Sequence, residues 1–138
     1  MRINLPVTTT EHLLQEGDTL LSATDLHGNI IYANDAFLQA CGYGFDELQQ
    51  QPHNIIRHPD TPAILFEDMW NTLKHGASWT AVVKNRCKNG DFYWVRANAS
   101  PIVAAGQTIG YLSVRTKPTV QETQAQQALY DLLNSGAK

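Results

Sequence analysis

The chain has 138 residues, enough for one domain with its own core and short for two. Its 10 basic and 13 acidic side chains give a net charge of −3, and the basic residues are scattered, which excludes the electrostatic footprint of a nucleic-acid binder. Cys41 and Cys87 lie far apart without a CxxC or Cys/His ligand spacing, pointing away from zinc and disulfides and toward a reducing cytoplasm; no segment approaches the ~18 apolar residues of a membrane span, and Met1 to Thr10 lacks the regions of a signal peptide.

In chain order, Thr19 to Asp25 reads as a strand that meets the turn signal Leu26-His27-Gly28-Asn29 and returns through Ile30 to Ala33, a first β-hairpin. Asn34 is placed to cap a short helix, Asp35 to Cys41, closed by Gly42, and a second short helix follows from Phe45 to Gln50. Ile64, Leu65, Phe66, Met69, Trp70 and Leu73 recur at helical spacing, giving an amphipathic helix that stops near His75-Gly76. Three strands follow, Trp79 to Lys88, Phe92 to Val103 and Thr108 to Lys117, so the order is β-β-α-α-α-β-β-β and the class is α+β with a five-stranded antiparallel sheet. Val120 to Asn134 is an amphipathic exit helix, with Val120, Ala128, Leu129, Leu132 and Leu133 roughly on one face.

Two places carry candidate chemistry. The segment Gln51 to Pro62 sets His53, Arg57, His58 and Asp60 among three prolines that resist regular helix and stiffen the loop. It reads either as a salt-bridged loop, Arg57 with Asp60, or as cationic groups offered to a phosphate- or carboxylate-bearing ligand. The second place is the Asn89-Gly90 hairpin, where a three-residue loop pairing Lys88 with Phe92 puts Trp79, Ala81, Val83, Asn85 and Cys87 on one face with Tyr93, Val95, Ala97 and Ala99. Lys84, Arg86, Trp94, Arg96 and Asn98 then take the other face. Asn85 is left inward, where an unsatisfied amide costs about 1–3 kcal/mol. A backbone group or a planar heterocycle with adjacent donor and acceptor would satisfy it, and the small residues Ala81, Ala97, Ala99 and Gly110 would leave room for a ring.

The element order and the run Val83-Lys84-Asn85-Arg86 through Lys88-Asn89-Gly90 resemble a PAS domain. With Gln51-Pro52-His53-Asn54, Arg57-His58-Pro59-Asp60, Trp70, Trp79 and Tyr93 to Ala99, the chain is similar over nearly its whole length to the N-terminal PAS domains of bacterial aerotaxis receptors. The resemblance implies a PAS fold with short helices on one face of the sheet, divided into an N-terminal cap (1–18), a sensor domain (19–117) and an exit helix or linker (118–138). It implies an FAD-binding redox or oxygen sensor for chemotaxis rather than an enzyme, and no catalytic set stands out. The cofactor-binding set carried over comprises Asn34, His53, Arg57, His58, Asp60, Phe66, Trp70, Trp79 and Asn85, with no metal site. Arg57 and His58 would meet the pyrophosphate or adenosine arm, Asp60 would orient Arg57 or a ribose hydroxyl, and Trp79 would pack on the ring or serve as core. Asn85 would face the isoalloxazine and rotate when the ring is reduced. Partners implied are a HAMP-like relay and a chemotaxis signalling module, with a PAS homodimer besides; the fragment itself would touch neither nucleic acid nor membrane, as a cytoplasmic domain of an inner-membrane receptor. Blue-light LOV domains carry a reactive cysteine where this chain has Ile55, so adduct photochemistry is not expected. A haem-binding gas sensor using His53, His58 or His75, and a cofactor-free interaction module using an exposed Trp94, are the rival readings.

Overall fold

The structure, a computed structural model, describes residues 7–135. Strands β1 (Leu20–Thr24), β2 (Ile30–Ala33), β3 (Trp79–Arg86), β4 (Phe92–Ala104) and β5 (Gln107–Thr116) form one antiparallel sheet in the order β2-β1-β5-β4-β3. Between β2 and β3 lie α1 (Asp35–Cys41), α2 (Phe45–Leu48), a 3-10 turn (His53–Ile56) and α3 (Ala63–Lys74), and α4 (Val120–Asn134) follows β5. This is the α+β PAS architecture expected from the sequence.

Alternation along the strands creates two sheet faces. The inner face carries Trp79, Val83, Asn85, Tyr93, Val95, Ala97 and Ala99, and these residues pack into the main core with Phe37, Leu48, Ile56 and Leu73 from the helical side, Asn85 buried among them. Asn34 explains the start of α1, because its Oδ1 accepts from Phe37 N and Leu21 N, each at 3.0 Å, and its Nδ2 donates to Thr19 O at 3.0 Å. One side chain thus begins the helix and ties it to β1.

The β3–β4 register differs from the expectation by two residues. Arg86, not Lys88, pairs with Phe92, and Asn85 with Tyr93, so five residues connect the strands. The Lys88 N–H is taken by Cys41 O at 2.8 Å, while Phe92 N–H donates to Thr10 O at 3.0 Å and Phe92 O accepts from His12 N at 2.7 Å, so neither residue is left to pair with the other. A slip of two preserves side-chain parity, and the face assignment of Asn85 survives. The two Phe92 bonds hold the described residues before β1, 7–18, along the start of β4, with Leu14 buried; Met1 to Pro6 fall outside the described residues.

Gly110 does not share the face of Ala97 and Ala99 as expected. It pairs with Ile102 on the opposite parity, and a β-carbon there would sit 2.3 Å from Thr24 O, so this glycine permits the close approach of β1 and β5 rather than making room for a ring.

Trp94 is not the exposed contact anticipated. α4 covers the β3–β4 part of the outer sheet face, and Trp94 is 7% exposed with its ring centroid 5.5 Å from that of Tyr130. The helix docks by its polar face: Gln126 Nε2 and Tyr130 OH both donate to Val82 O, at 2.7 and 3.3 Å, and Arg96 pairs with Glu122. Val120, Leu129 and Leu132 consequently point outward. Hydrogen-bonding demand on the edge strand β3, whose Val82 carbonyl lacks a strand partner, outweighs the apolar stripe in setting the helix's orientation.

Candidate functional site

Between α3 and the inner sheet face lies a cavity of about 290 Å3. Phe66, Met69, Trp70 and Leu73 project from one side of α3 at i, i+3, i+4 and i+7 and form one wall. The facing wall is flat because Ala97 and Ala99 carry only methyl groups, and Trp79, Val83 and Asn85 extend it along β3. Pro52 to Arg57 close one end, and the turn at His27-Gly28 approaches Trp70 beside Pro52. A slot with apolar broad faces and polar groups at its edges suits a planar heterocycle.

Of the residues singled out from the sequence, His53, Arg57, Phe66, Trp70, Trp79 and Asn85 line this cavity. Arg57 and Asn85 are joined by an antiparallel bridge, which brings the stiff loop onto the edge of β3. The Arg57 guanidinium donates to Thr61 O at 2.8 Å and lies 5.0 Å from the centroid of Phe66. Trp79 donates from Nε1 to Asp68 Oδ2 at 2.9 Å, fixing its plane against α3, and Trp70 meets Tyr111 edge-on at 5.2 Å.

Asn34, His58 and Asp60 do not line the cavity. Asn34 is engaged in capping α1, with both ends of its amide bonded. The loop after Arg57 wraps around β3, so His58 and Asp60 reach the outer side of the sheet: His58 meets Phe92 edge-on, and Asp60 pairs with Lys84 Nζ at 2.9 Å. The sequence reading of a salt bridge from Arg57 to Asp60 is replaced by this Lys84 pair. His58 Nδ1 accepts from Asp60 N at 3.0 Å, and burial, aided by the charge of Lys84, lowers the imidazole to about 4. His75 caps α3, its Nδ1 donating to Asn71 O at 2.6 Å, and lies outside the site.

Residues not singled out beforehand supply much of the cavity's polarity: Ser22 and Thr24 from β1, and Tyr111, Ser113 and Arg115 from β5. Arg115 stands opposite Ala97 and Leu20 in the middle of the inner face. Its Nη1 donates to Ser22 Oγ at 3.0 Å and its Nη2 to His53 Nε2 at 3.0 Å, while the guanidinium lies 5.3 Å from the Phe37 centroid. Because an arginine can only donate, His53 Nε2 is the acceptor and the ring's hydrogen resides on Nδ1. Burial, reinforced by the Arg115 charge, holds His53 neutral with its pKa at about 3, and burial brings Arg115 itself down to about 10. Among the described residues no aspartate or glutamate lines the cavity, and the guanidinium groups of Arg57 and Arg115 set its electrostatics. Among the described residues no cluster of three or more histidine, cysteine or acidic side chains is placed to hold a metal ion, and no helix is long and apolar enough to cross a membrane.

Residues 30–115 match the family described as the PAS fold. The chain is 54% identical over 123 residues to the aerotaxis receptor of Escherichia coli strain K12, an alignment covering 89% of this chain and 24% of that protein. It is 29% identical over 112 residues to the nitrogen fixation regulatory protein of Klebsiella oxytoca, covering 80% of this chain and 23% of that protein. The chain thus spans about a quarter of the length of these relatives. Among solved structures, the dark state of the blue-light photoreceptor Aureochrome1 LOV superposes with a TM-score of 0.69 at 19% identity, covering 80% of this chain and 86% of that one, a likeness of fold.

Proposed function

Because the chain belongs to the PAS-fold family, we propose that it is an FAD-binding sensor domain of an aerotaxis receptor, reporting redox state to a chemotaxis signalling module rather than catalysing a reaction. The observation that carries this reading is the flat slot between α3 and Ala97/Ala99, edged by the Asn85 amide and by guanidinium groups, in a chain 54% identical to an aerotaxis receptor. The donor set fits a flavin. The cavity volume, about 290 Å3, sits at the small end of the ~300–1,000 Å3 typical of ligand pockets, which suits a tricyclic ring with the dinucleotide arm lying outside.

In this reading Phe66 and Trp79 pack against the ring, Asn85 bonds its heteroatom edge, and Arg57 attracts the phosphates of the arm. His53 orients Arg115, and Trp70 covers the slot from α3. Asn34, His58 and Asp60 contribute by holding α1 and the loop in place. Bound FAD supplies reversible electron transfer to the site. The side chain on this chain best suited to respond is Asn85, whose amide offers a donor at one end and an acceptor at the other and can rotate to follow a change at the ring edge. Downstream partners are a HAMP-like relay and the signalling module of a longer, inner-membrane-anchored receptor, with this domain on the cytoplasmic side and α4 leading toward them; a homodimer of the domain is a further partner.

The test is the visible spectrum of the purified protein before and after dithionite, with chromatography of any released cofactor. A flavin spectrum that bleaches reversibly and releases FAD is the expected result. A Soret band would replace the proposal with a haem sensor, and a colourless protein that takes up no added FAD would leave an interaction module.

A further inference from the structure

Some of the buried or half-buried cations among the described residues have a carboxylate: Lys84 has Asp60 and Arg96 has Glu122. Arg115 does not. Among the described residues no aspartate or glutamate pairs with it, and its two hydrogen bonds go to the neutral acceptors Ser22 Oγ and His53 Nε2. Those bonds occupy two of the five N–H donors of a guanidinium. Its place in the middle of the inner face, 6% exposed and between Ala97 and Leu20, prevents it from snorkelling to water. Sheet stability alone is a poor reason for such a residue, since an unpaired buried charge opposes folding. It lines the cavity, and a charged, rigid donor held by two fixed neighbours is what recognition of an electron-rich carbonyl edge requires.

We propose that Arg115, positioned by Ser22 and His53, is the ring-recognising and charge-selecting residue of this cavity: it binds the carbonyl edge of a planar heterocycle and favours that ring's anionic form over its neutral one. The inference rests on the flavin reading and adds to it a residue and a charge preference. Arg57 is distinguished from Arg115 by position. It sits on the loop, bonded to Thr61 O and stacked over Phe66, and is suited to the phosphate-bearing arm rather than to the ring.

The other titratable groups facing Arg115 leave its charge uncompensated. His53, from the 3-10 turn, is held neutral. The Tyr93 phenol from β4 and the Cys41 thiol from α1 are both pushed up by burial, so neither supplies a negative charge near neutral pH. When the acidic imide N–H of a bound flavin gives its proton to solvent, the ring becomes the counter-charge that the protein lacks.

The experiment uses the full chain freed of bound ligand and titrated with riboflavin, which has no phosphate, and with FAD, following fluorescence quenching. Arg115→Met is expected to weaken both by the same factor, roughly 10- to 100-fold, the range for losing a hydrogen bond to a charged group. Arg57→Met is expected to weaken FAD more than riboflavin. A second readout separates recognition from mere support of the sheet: the pH at which bound riboflavin loses its imide proton, seen in the visible spectrum. It should lie below that of free riboflavin in the unsubstituted protein and in Arg115→Lys, and at or above it in Arg115→Met. Should Arg115→Met fail to fold by circular dichroism, Arg115→Gln takes its place, keeping donors while removing charge. Unchanged affinity and ionisation in the neutral variant would overturn the inference, as would a loss confined to FAD, which would make Arg115 a phosphate ligand. If the unsubstituted protein binds neither compound, the flavin reading itself fails and this inference falls with it.

Discussion

Acidification should destabilise the ligand-free domain through His53 in particular. The imidazole is buried, its Nε2 accepts from Arg115, and its pKa is lowered to about 3 from the ordinary value near 6.5. Above about pH 6.5 neither folded nor unfolded chain holds a proton there. Between that point and about pH 3 the unfolded chain is protonated and the folded one is not, so stability falls as pH falls. At about 1.36 kcal/mol per pH unit, the loss from roughly pH 7.5 to pH 4.5 comes to about 3 kcal/mol, a large share of the ~5–15 kcal/mol that holds a small domain together. His58, lowered to about 4, acts in the same direction, as do the depressed carboxylates of Glu47, Asp91 and Glu122 at lower pH. The assay is urea unfolding followed by tryptophan fluorescence across that pH range, for the protein and for His53→Gln. Glutamine can still accept from Arg115 but does not titrate, so the difference between the two curves isolates one histidine. Two parallel curves would refute the assignment of a buried neutral His53.

Asn34→Ala removes the cap of α1 together with the bonds to Leu21 and Thr19; we expect a loss of about 2 kcal/mol in denaturant unfolding, with ring affinity of the folded fraction unchanged. Gly110→Ala places a β-carbon 2.3 Å from Thr24 O and should prevent β1 from seating on β5, so that soluble yield collapses even at low temperature. Trp94→Ala takes away the aromatic partner of Tyr130 under α4 and should cost about 3–5 kcal/mol in unfolding while making the helix a preferred site of limited proteolysis. A Trp94→Ala protein whose α4 remains as protease-resistant as before would show that the polar contacts alone hold the helix.

Much of the fold was legible in the sequence because its signals are local. Asn34 before an apolar helix, Gly42 after it, and helical spacing through Trp70 and Leu73 each marked an element that the structure contains. What stayed hidden depends on pairing over distance. The β4–β5 turn at Ala105-Gly106 is a two-residue hairpin, and continuing its register unbroken would pair Ala97 with Val114, turning Arg115 outward. A bulge between Ile102 and Val103 shifts the pairing by one residue, sets Arg115 opposite Ala97 and brings it inside. Gly110 at the shift and Pro101 beside it are strand residues of the kind that mark a bulge, but neither says which way the register moves, so the cavity's central cation went unnoticed. Trp94 and the leucines of α4 exchanged their expected exposures for a related reason, since the helix answers the open edge of β3 with glutamine and tyrosine rather than with its apolar stripe.

The loop from Arg57 to Thr61 explains why a single cluster in the sequence becomes two sites in space. Pro59 within it and Pro62 just after it carry it stiffly around the edge of β3, so Arg57 enters the cavity beside Asn85 while Asp60 arrives beside Lys84, the residue preceding Asn85, which faces the opposite side of the sheet. Thr61 closes the circuit, accepting from Arg57 through its carbonyl and donating through Oγ1 to Lys84 O at 2.7 Å. The last turn of α4 joins the same loop, since Asn134 Nδ2 donates to Asp60 O at 2.7 Å, and two turns earlier Gln127 Oε1 accepts from Lys84 Nζ of β3 at 3.4 Å. Adjacent residues of one strand therefore look into the cavity and onto α4, and the loop is hydrogen-bonded to both. Any displacement of Asn85 or Arg57 large enough to disturb the bridge between them must be absorbed by these five loop residues or passed to α4.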